Sequence, residues 1–425
     1  MTQPASAPAT QQTTITTCRS CGASRLEPVL SLGRTPLANA LLTRGQLTEP
    51  ETAYPLELVF CPACSLLQIT ETVPPEILFR NYFYFSSFSD ALLRHAEALV
   101  DRLVTSHGLG PGSLAAEIAS NDGYLLQFYQ AQGIAVLGIE PATNIAQVAT
   151  AKGIRTLNEF FGRDLAAQLA AAGERADVLH ANNVMAHVAD LNGFVTGIRT
   201  LLKDDGLASI EAPYARDTVE HVEFDQIYHE HLCYFSLTAV DHLMRRHGLR
   251  VVDVERLPIH GGTLRYFVAR EEAVAAGTRL VTPAVGALLA EEAALGMDKL
   301  AYYRDFAGRV EKLKADLHAL LRDLKAQGKT IAAYGASAKG ATLLNYFGIA
   351  GETLDFVVDR STVKQGHYTP GTHLEIVPPE RLLEARPDYL LLLTWNFAEE
   401  ILAQQAAYRE SGGRFIIPLP QLSQV

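Results

Sequence analysis

The chain has 425 residues, 48% hydrophobic and 20% charged, which fits a soluble globular protein of two or three domains with a sizeable core. With 36 basic against 47 acidic residues, the formal charge of −11 works against a general nucleic-acid surface, while leaving room for a local basic pocket for a phosphorylated small molecule. No run of about 18 apolar residues is present, so no transmembrane helix and no membrane partner are expected.

The first fourteen residues, MTQPASAPATQQTT, carry no Lys or Arg and no apolar core. They do not read as a signal peptide, and residues 1–14 are expected to form a disordered tail. A cytoplasmic location follows as the expectation. Five cysteines are too few for a disulfide framework, but four of them precede residue 65. Cys18 and Cys21 form CRSC, and Cys61 and Cys64 form CPAC. Two C-x-x-C turns can give four thiolates to one tetrahedral zinc ion, which leaves no open position for water. Residues 15–75 are therefore expected to be a module with a structural Zn2+, and YPLELVF alternates like a strand leading into the second pair.

Residues 76–272 read as a second domain. A helical pattern covers Ala91 to His107. LAAEIA then reads as a strand, SNDG as a polar turn, YLLQFYQAQG as a helix ending at Gly133, and AVLGIE as a second strand. This is the opening unit of a doubly wound α/β fold. The turn is not G-x-G-x-x-G, so a dinucleotide fingerprint is a poor match. Its acids are better placed for another cofactor. Glu117 lies in the first strand, Asp122 and Gly123 open the helix, and Glu140 ends the second strand, where a carboxylate can accept ribose hydroxyls. A carboxylate near the loop suits an ammonium or sulfonium, which points to S-adenosylmethionine (SAM). The expected cofactor contacts are Glu117, Ser120, Asn121, Asp122, Gly123, Glu140, Pro141 and Asn182. A third strand, in ADVLHANNVMAHV, puts Asn182, Asn183 and His187 at its C-terminal end, where open α/β sheets bind ligands. LLKDDGLASIEAP reads as a helix end, a turn and a fourth strand.

IYHEHLCYFS, residues 227–236, packs Tyr228, His229, Glu230, His231, Cys233 and Tyr234 together. Ser236 is a good N-cap for the helix that follows. The motif has three readings. It is a poor metal site, because His229 and His231 have no obvious third ligand, although Cys233 and His221 are near in sequence, and no H-E-x-x-H is present. It is a good acid/base centre, because Tyr228, Glu230 and His231 can surround one carbon acid. It can also be a polar turn with satisfied core histidines.

Residues 273–425 begin with an Ala- and Leu-rich stretch expected to form one or two linking helices. KTIAAYGASAKGATLLNYFG repeats the strand, Gly-rich loop, helix order. LDFVVDRS gives a strand ending at Asp359, and PDYLLLLTWNF a buried strand running to Trp395 and Asn396. The GASAKG loop offers backbone N–H groups at a helix N-terminus, and Lys339 adds charge, which suits a diphosphate. It is not a Walker A loop, and a tight packing turn is the other reading. HGGTLRYFV holds a Gly-Gly turn without an evident role.

In order, EIASNDGYLL, GIEPATNIA, NNVMAHV, YHEHLCYFS, HGGTLR, YGASAKG and LLTWNF closely resemble the zinc-containing sugar C-methyltransferases of deoxysugar biosynthesis, from about Cys18 to the end of the chain. The resemblance implies an α/β chain with a small N-terminal zinc module, a central doubly wound methyltransferase domain and a C-terminal Rossmann-like domain that holds a nucleotide-linked keto-deoxysugar. It implies His231 as the base, with Tyr228, Glu230 and His187 beside the sugar. Tyr82, Asn183, Gly335, Ser337, Lys339, Trp395 and Asn396 are the expected substrate contacts. Ala119 departs from the family, which more often has Gly in EIGSNDG. A monomer or weak homodimer is expected. The competing readings are a nicotinamide-dependent nucleotide-sugar oxidoreductase and a noncatalytic methyltransferase-like binding protein.

Overall fold

Alternation in AYPLELVF puts Tyr54, Leu56 and Leu58 on one buried face of the strand Ala53–Phe60. In the computed structural model, which describes residues 13–80 and 85–425, this strand pairs antiparallel with Glu27–Pro36 on one side and Leu67–Ile69 on the other. A fourth strand, Cys233–Tyr234, completes this sheet by pairing with Leu67–Ile69. It comes from the YHEHLCYFS motif, so the zinc module extends its sheet into the middle of the chain. Nothing in the local pattern foretells this pairing.

The central sheet has seven strands in the order Leu249–Leu257, Thr263–Arg270, Leu202–Pro213, Ala176–Asn182, Leu114–Ile118, Ala135–Ile139, Thr156–Leu157. The last five are parallel to one another, and Thr263–Arg270 runs antiparallel between its two neighbours. The strand order reverses between Leu114–Ile118 and Ala176–Asn182. Their C-terminal ends are therefore the place where such a sheet leaves a crevice. The sequence pattern reveals four of these strands. Thr156–Leu157 is too short to show a period, and all eight residues of Thr263–Arg270 are buried, which erases alternation. LLKDDGLASIEAP is one bulged strand from Leu202 to Pro213 rather than a turn and a strand.

The C-terminal sheet has the order Ile376–Val377, Val357–Val358, Ile331–Tyr334, Tyr389–Leu392, Arg414–Ile417, Ser423–Gln424. All but the last strand are parallel, as a Rossmann-like unit requires. The strand in PDYLLLLTWNF stops at Leu392, and Trp395–Phe397 forms a short 3-10 turn. The linker holds four helices, Glu271–Ala275, Pro283–Leu295, Leu300–Tyr303 and Phe306–Ala326, where the composition suggests one or two. Gly277, Gly296 and the turn at Arg304 break the run.

Glu292 ties this linker to the central domain. It is fully buried and accepts hydrogen bonds from the Leu237 and Thr238 amides at 2.8 Å, the Thr238 hydroxyl at 2.6 Å and the Tyr214 hydroxyl at 3.0 Å. The two amides belong to the first turn of the helix Leu237–Arg246, whose N-cap Ser236 accepts from the Ala239 amide as its sequence predicts. Glu292→Ala would leave these donors buried without an acceptor. The variant should lose about 3 kcal/mol of stability, read from its urea midpoint.

Candidate active site

The four N-terminal cysteines converge. All four sulfurs lie within 4.8 Å of one another, with Cys18–Cys64 and Cys21–Cys61 each at 3.6 Å. A tetrahedron of thiolates at a Zn–S distance of about 2.3 Å has an edge of about 3.8 Å, so the set fits zinc. Each pair is held by a tight turn, with the Gly22 amide donating to the Cys18 carbonyl and the Ser65 amide to the Cys61 carbonyl. Gln68 donates its side-chain N–H to Cys18 Sγ at 3.2 Å and accepts from the Arg19 amide at 2.9 Å. Its backbone is paired with Cys233, which links the metal site to the strand that follows the YHEH motif.

At the crevice of the central sheet the loop after Leu114–Ile118 is built from left-handed residues. Ala119, Asn121 and Gly123 have φ of 55°, 49° and 80°. This backbone cannot begin a helix, so the helix starts at Leu126 instead of at Asp122-Gly123. Ala119 adopts the conformation for which glycine is favoured, which explains the glycine usual in the related motif. Ala119→Gly should raise stability by roughly 0.5–1 kcal/mol in chemical denaturation, unlike most glycine substitutions.

Glu140 follows the second strand. Its two oxygens accept the Asn121 amide at 2.9 Å and the Ala142 amide at 2.8 Å, which fixes the carboxylate against the loop while it lines the cavity. Each oxygen has a second lone pair for a ligand hydroxyl. Burial pushes the Glu140 carboxyl above its ordinary range, and the two amides oppose this. Burial, with the nearby charge of Glu140, also pushes Glu117 well up. Among the described residues, Glu117 Oε2 and Asn182 Oδ1 are buried acceptors without hydrogen-bond partners. Unfilled acceptors and raised carboxyls suit a cationic ligand rich in N–H and O–H donors, as SAM is. Asn121 and Pro141 also line the cavity, whereas Glu117, Ser120, Asp122 and Gly123 stand behind its lining. Asp122 is tied to Lys152 at 2.8 Å and to the Ser87 hydroxyl, and Asn121 accepts the Ser86 amide at 2.9 Å.

The YHEH motif faces the same cavity, of about 830 Å³, which residues from all three parts of the chain line. His231 Nδ1 lies 2.9 Å from the Gln226 carbonyl. A carbonyl only accepts, so Nδ1 carries the hydrogen, and Nε2 accepts from the Tyr228 hydroxyl at 2.9 Å. His187 meets His231 edge-on at a ring separation of 4.8 Å, and burial pushes the His187 imidazole down to about 4, so it is a neutral donor at neutral pH. Glu230 accepts from Asn39 Nδ2 at 2.6 Å, a contact with the N-terminal module that no sequence signal announces. His229 points the other way. Its Nε2–H donates to the Pro55 carbonyl at 3.0 Å, and its ring meets Tyr54 at 5.6 Å, so it pins the motif to the zinc module. Cys233 is buried in the sheet pairing and is not one of the four clustered sulfurs. Asn183, at φ 52°, also lines the cavity, while Tyr82 lies outside the described residues.

From the C-terminal domain, Ser337, Lys339 and Asn396 line the cavity, and Gly335 and Trp395 do not. Gly335, at φ 97°, packs against Thr394, and the Ser337 hydroxyl caps its own helix by accepting the Gly340 amide at 3.0 Å. Lys339 places its ammonium 4.7 Å above the Trp395 ring. Burial pushes this ammonium below its ordinary range, opposed by the charges of Asp225 and Glu223. Lys364, which the sequence reading passed over, also lines the cavity and donates to the Ala336 carbonyl at 2.8 Å. It lies five residues beyond Asp359, on the connection that leaves a strand end, where such a residue could have been sought.

Known proteins match this arrangement along almost its whole length. Family models for a zinc binding domain, a methyltransferase domain and a C-methyltransferase C-terminal domain match residues 18–79, 94–254 and 258–420. C-methyltransferase NovU of Streptomyces niveus is 38% identical over 404 residues, 95% of each chain. The chain belongs to this C-methyltransferase family. It is a SAM-dependent C-methyltransferase with a zinc module, which sets aside the nicotinamide-dependent oxidoreductase. Among solved structures, magnesium protoporphyrin IX methyltransferase of Synechocystis PCC 6803 with bound SAM is 14% identical, covering 42% of this chain and 79% of that one at a TM-score of 0.32. A 1,6-didemethyltoxoflavin-N1-methyltransferase of Burkholderia thailandensis is 18% identical, covering 42% and 77% at a TM-score of 0.31. Among the described residues no helix is long and apolar enough to cross a membrane.

Proposed function

We propose that this C-methyltransferase methylates the sugar of a nucleotide-linked, dTDP-type keto-deoxysugar at the carbon beside its C4 ketone, which is C3. The observation that carries this reading is the shared cavity: Glu140 and Asn182 of the central crevice, the second with an unfilled acceptor, line one side, the GASAKG helix end lines another, and Tyr228, Glu230 and His231 of the YHEH motif line it as well. Bound SAM supplies an electrophilic methyl group on a sulfonium.

The chain's own residues do the rest. Glu140 is placed to accept ribose hydroxyls of the cofactor, and Glu117 to sit near its positive charge. Ser337, Asn396 and the cavity lysines hold the nucleotide, with Asn183 beside the sugar. The ketone acidifies the neighbouring C–H, and His231 takes that proton on Nε2 once the sugar displaces the Tyr228 hydroxyl. Tyr228 or His187 then donates to the enolate oxygen, where a fixed donor stabilises developing charge. Enclosure between domains excludes water and keeps donor and acceptor carbon aligned. Zinc takes no part in the chemistry.

The test is mass spectrometry after incubation with SAM and a panel of nucleotide-linked 4-keto deoxysugars. A product heavier by one methyl group supports the reading, and no product from any ketosugar would defeat it. Washout of tritium from the sugar carbon without SAM separates a working base from a noncatalytic binding protein.

A further inference from the structure

Four stretches far apart in the chain meet in one buried cluster. EFDQ brings Glu223, Phe224, Asp225 and Gln226, HGG brings Gly261, GASAKG brings Lys339, and TWNF brings Trp395. Asp225 is fully buried and accepts the indole N–H of Trp395 at 2.7 Å. Lys339 lies over the same indole ring. Gly261, at φ 96°, has no space for a side chain: a Cβ there would stand 2.9 Å from the Glu223 carboxylate and 3.0 Å from the Trp395 ring. Phe224 stacks on Phe347 at 4.8 Å, and Phe347 ends the helix that GASAKG begins. The Gly-Gly turn, without a role in the sequence, thus makes room for the cluster.

The short turn Phe224–Gln226 is clamped to the C-terminal domain at two points and bears directly on the YHEH motif. The Gln226 carbonyl accepts His231 Nδ1–H at 2.9 Å and the Tyr234 hydroxyl at 3.3 Å, while the Gln226 side chain donates to Glu223. The carbonyl therefore sets both the tautomer and the aim of His231. Asp225 is an expensive residue for mere packing. Its Oδ1 has no hydrogen-bond partner among the described residues, although it is buried. Two carboxylates face one ammonium here. Burial pushes the Glu223 carboxyl up to about 8 and the Asp225 carboxyl above its ordinary range, and the Lys339 ammonium opposes both shifts.

We propose that Asp225 and Trp395 are positioning residues through which the C-terminal domain sets the orientation of His231 for proton removal. Trp395 is then an orienting residue rather than a substrate contact. This rests on the reading of His231 as the base. The function of the pair is directional, since it holds a carbonyl whose displacement turns the imidazole away from the sugar.

The experiment measures tritium washout from the sugar carbon and methyl transfer in the full-length, zinc-loaded enzyme. Trp395→Phe keeps an aromatic ring beneath Lys339 but removes the indole N–H, and both rates should fall about 10- to 100-fold. KM for the nucleotide sugar and Kd for SAM should stay within about threefold. Asp225→Ala should behave alike, whereas Asp225→Asn keeps an oxygen for the indole and should recover to within about threefold of wild type. If Asp225→Ala does not fold, Trp395→Phe decides alone. Wild-type rates in Trp395→Phe, or a loss carried wholly by KM or by a smaller folded fraction, would overturn the inference. Absence of washout in the wild-type enzyme would overturn the reading of His231 as well, so the two failures are distinguishable.

Discussion

Replacing His231 with asparagine is expected to slow methyl transfer by about 10³-fold or more while leaving SAM affinity within about twofold. The two effects separate because Glu140 and Asn182, the groups proposed to face the cofactor, sit at strand ends of the central sheet, where Glu140 accepts the Asn121 and Ala142 amides and Asn182 donates to the Tyr124 hydroxyl. The imidazole is held at both nitrogens, by the Gln226 carbonyl and the Tyr228 hydroxyl. Asparagine can replace one of these bonds but has no nitrogen lone pair to take a proton from carbon. Turnover with a ketosugar and calorimetry with S-adenosylhomocysteine measure the two quantities. A variant with near-normal turnover would remove His231 from the chemistry and leave Tyr228, Glu230 and His187 as the remaining candidates.

The parts of the site written in short-range chemistry could be read from the sequence. Two C-x-x-C pairs need only tight turns to present their sulfurs, and the sulfurs converge. Ser236 caps its helix because an N-cap acts over three residues. The reading of the motif as a turn with satisfied histidines fits His229, whose Nε2–H donates to the Pro55 carbonyl. What the sequence hides depends on partners distant in the chain. Cys233–Tyr234 looks like the tail of a polar motif and is in fact a strand of the zinc module's sheet. Trp395 looks like a residue at a ligand edge, yet its indole turns to Asp225. Asn39 gives no signal, because a lone amide in a loop has no pattern until Glu230 is placed beside it. Left-handed backbone at Ala119 is likewise silent, since an alanine does not mark it as a glycine would.

Removing the metal is the second large perturbation, and the sheet pairing makes it more than a loss of stability. Chelation should lower the melting temperature and cut methyl transfer at least about tenfold, with recovery on adding zinc, because structural zinc is worth about 10–16 kcal/mol to small domains that fold around it. The reason for lost activity is geometric. CPAC leads directly into Leu67–Ile69, and that strand carries Cys233–Tyr234, two residues beyond His231. The Ile69 amide donates to the Leu232 carbonyl at 3.0 Å, and His229 is tied to Pro55 in the neighbouring strand. Glu230 takes its bond from Asn39 of the same module. A slack module would therefore free three sides of the YHEH motif at once, while the carboxylate of Glu140 and the loop it grips stay with the central sheet. SAM binding should accordingly survive in the metal-free enzyme under conditions where tritium washout does not. A metal-free protein with full washout would show that the apolar core of the module, centred on Leu56, Leu58 and Phe60, holds the motif in place by packing alone.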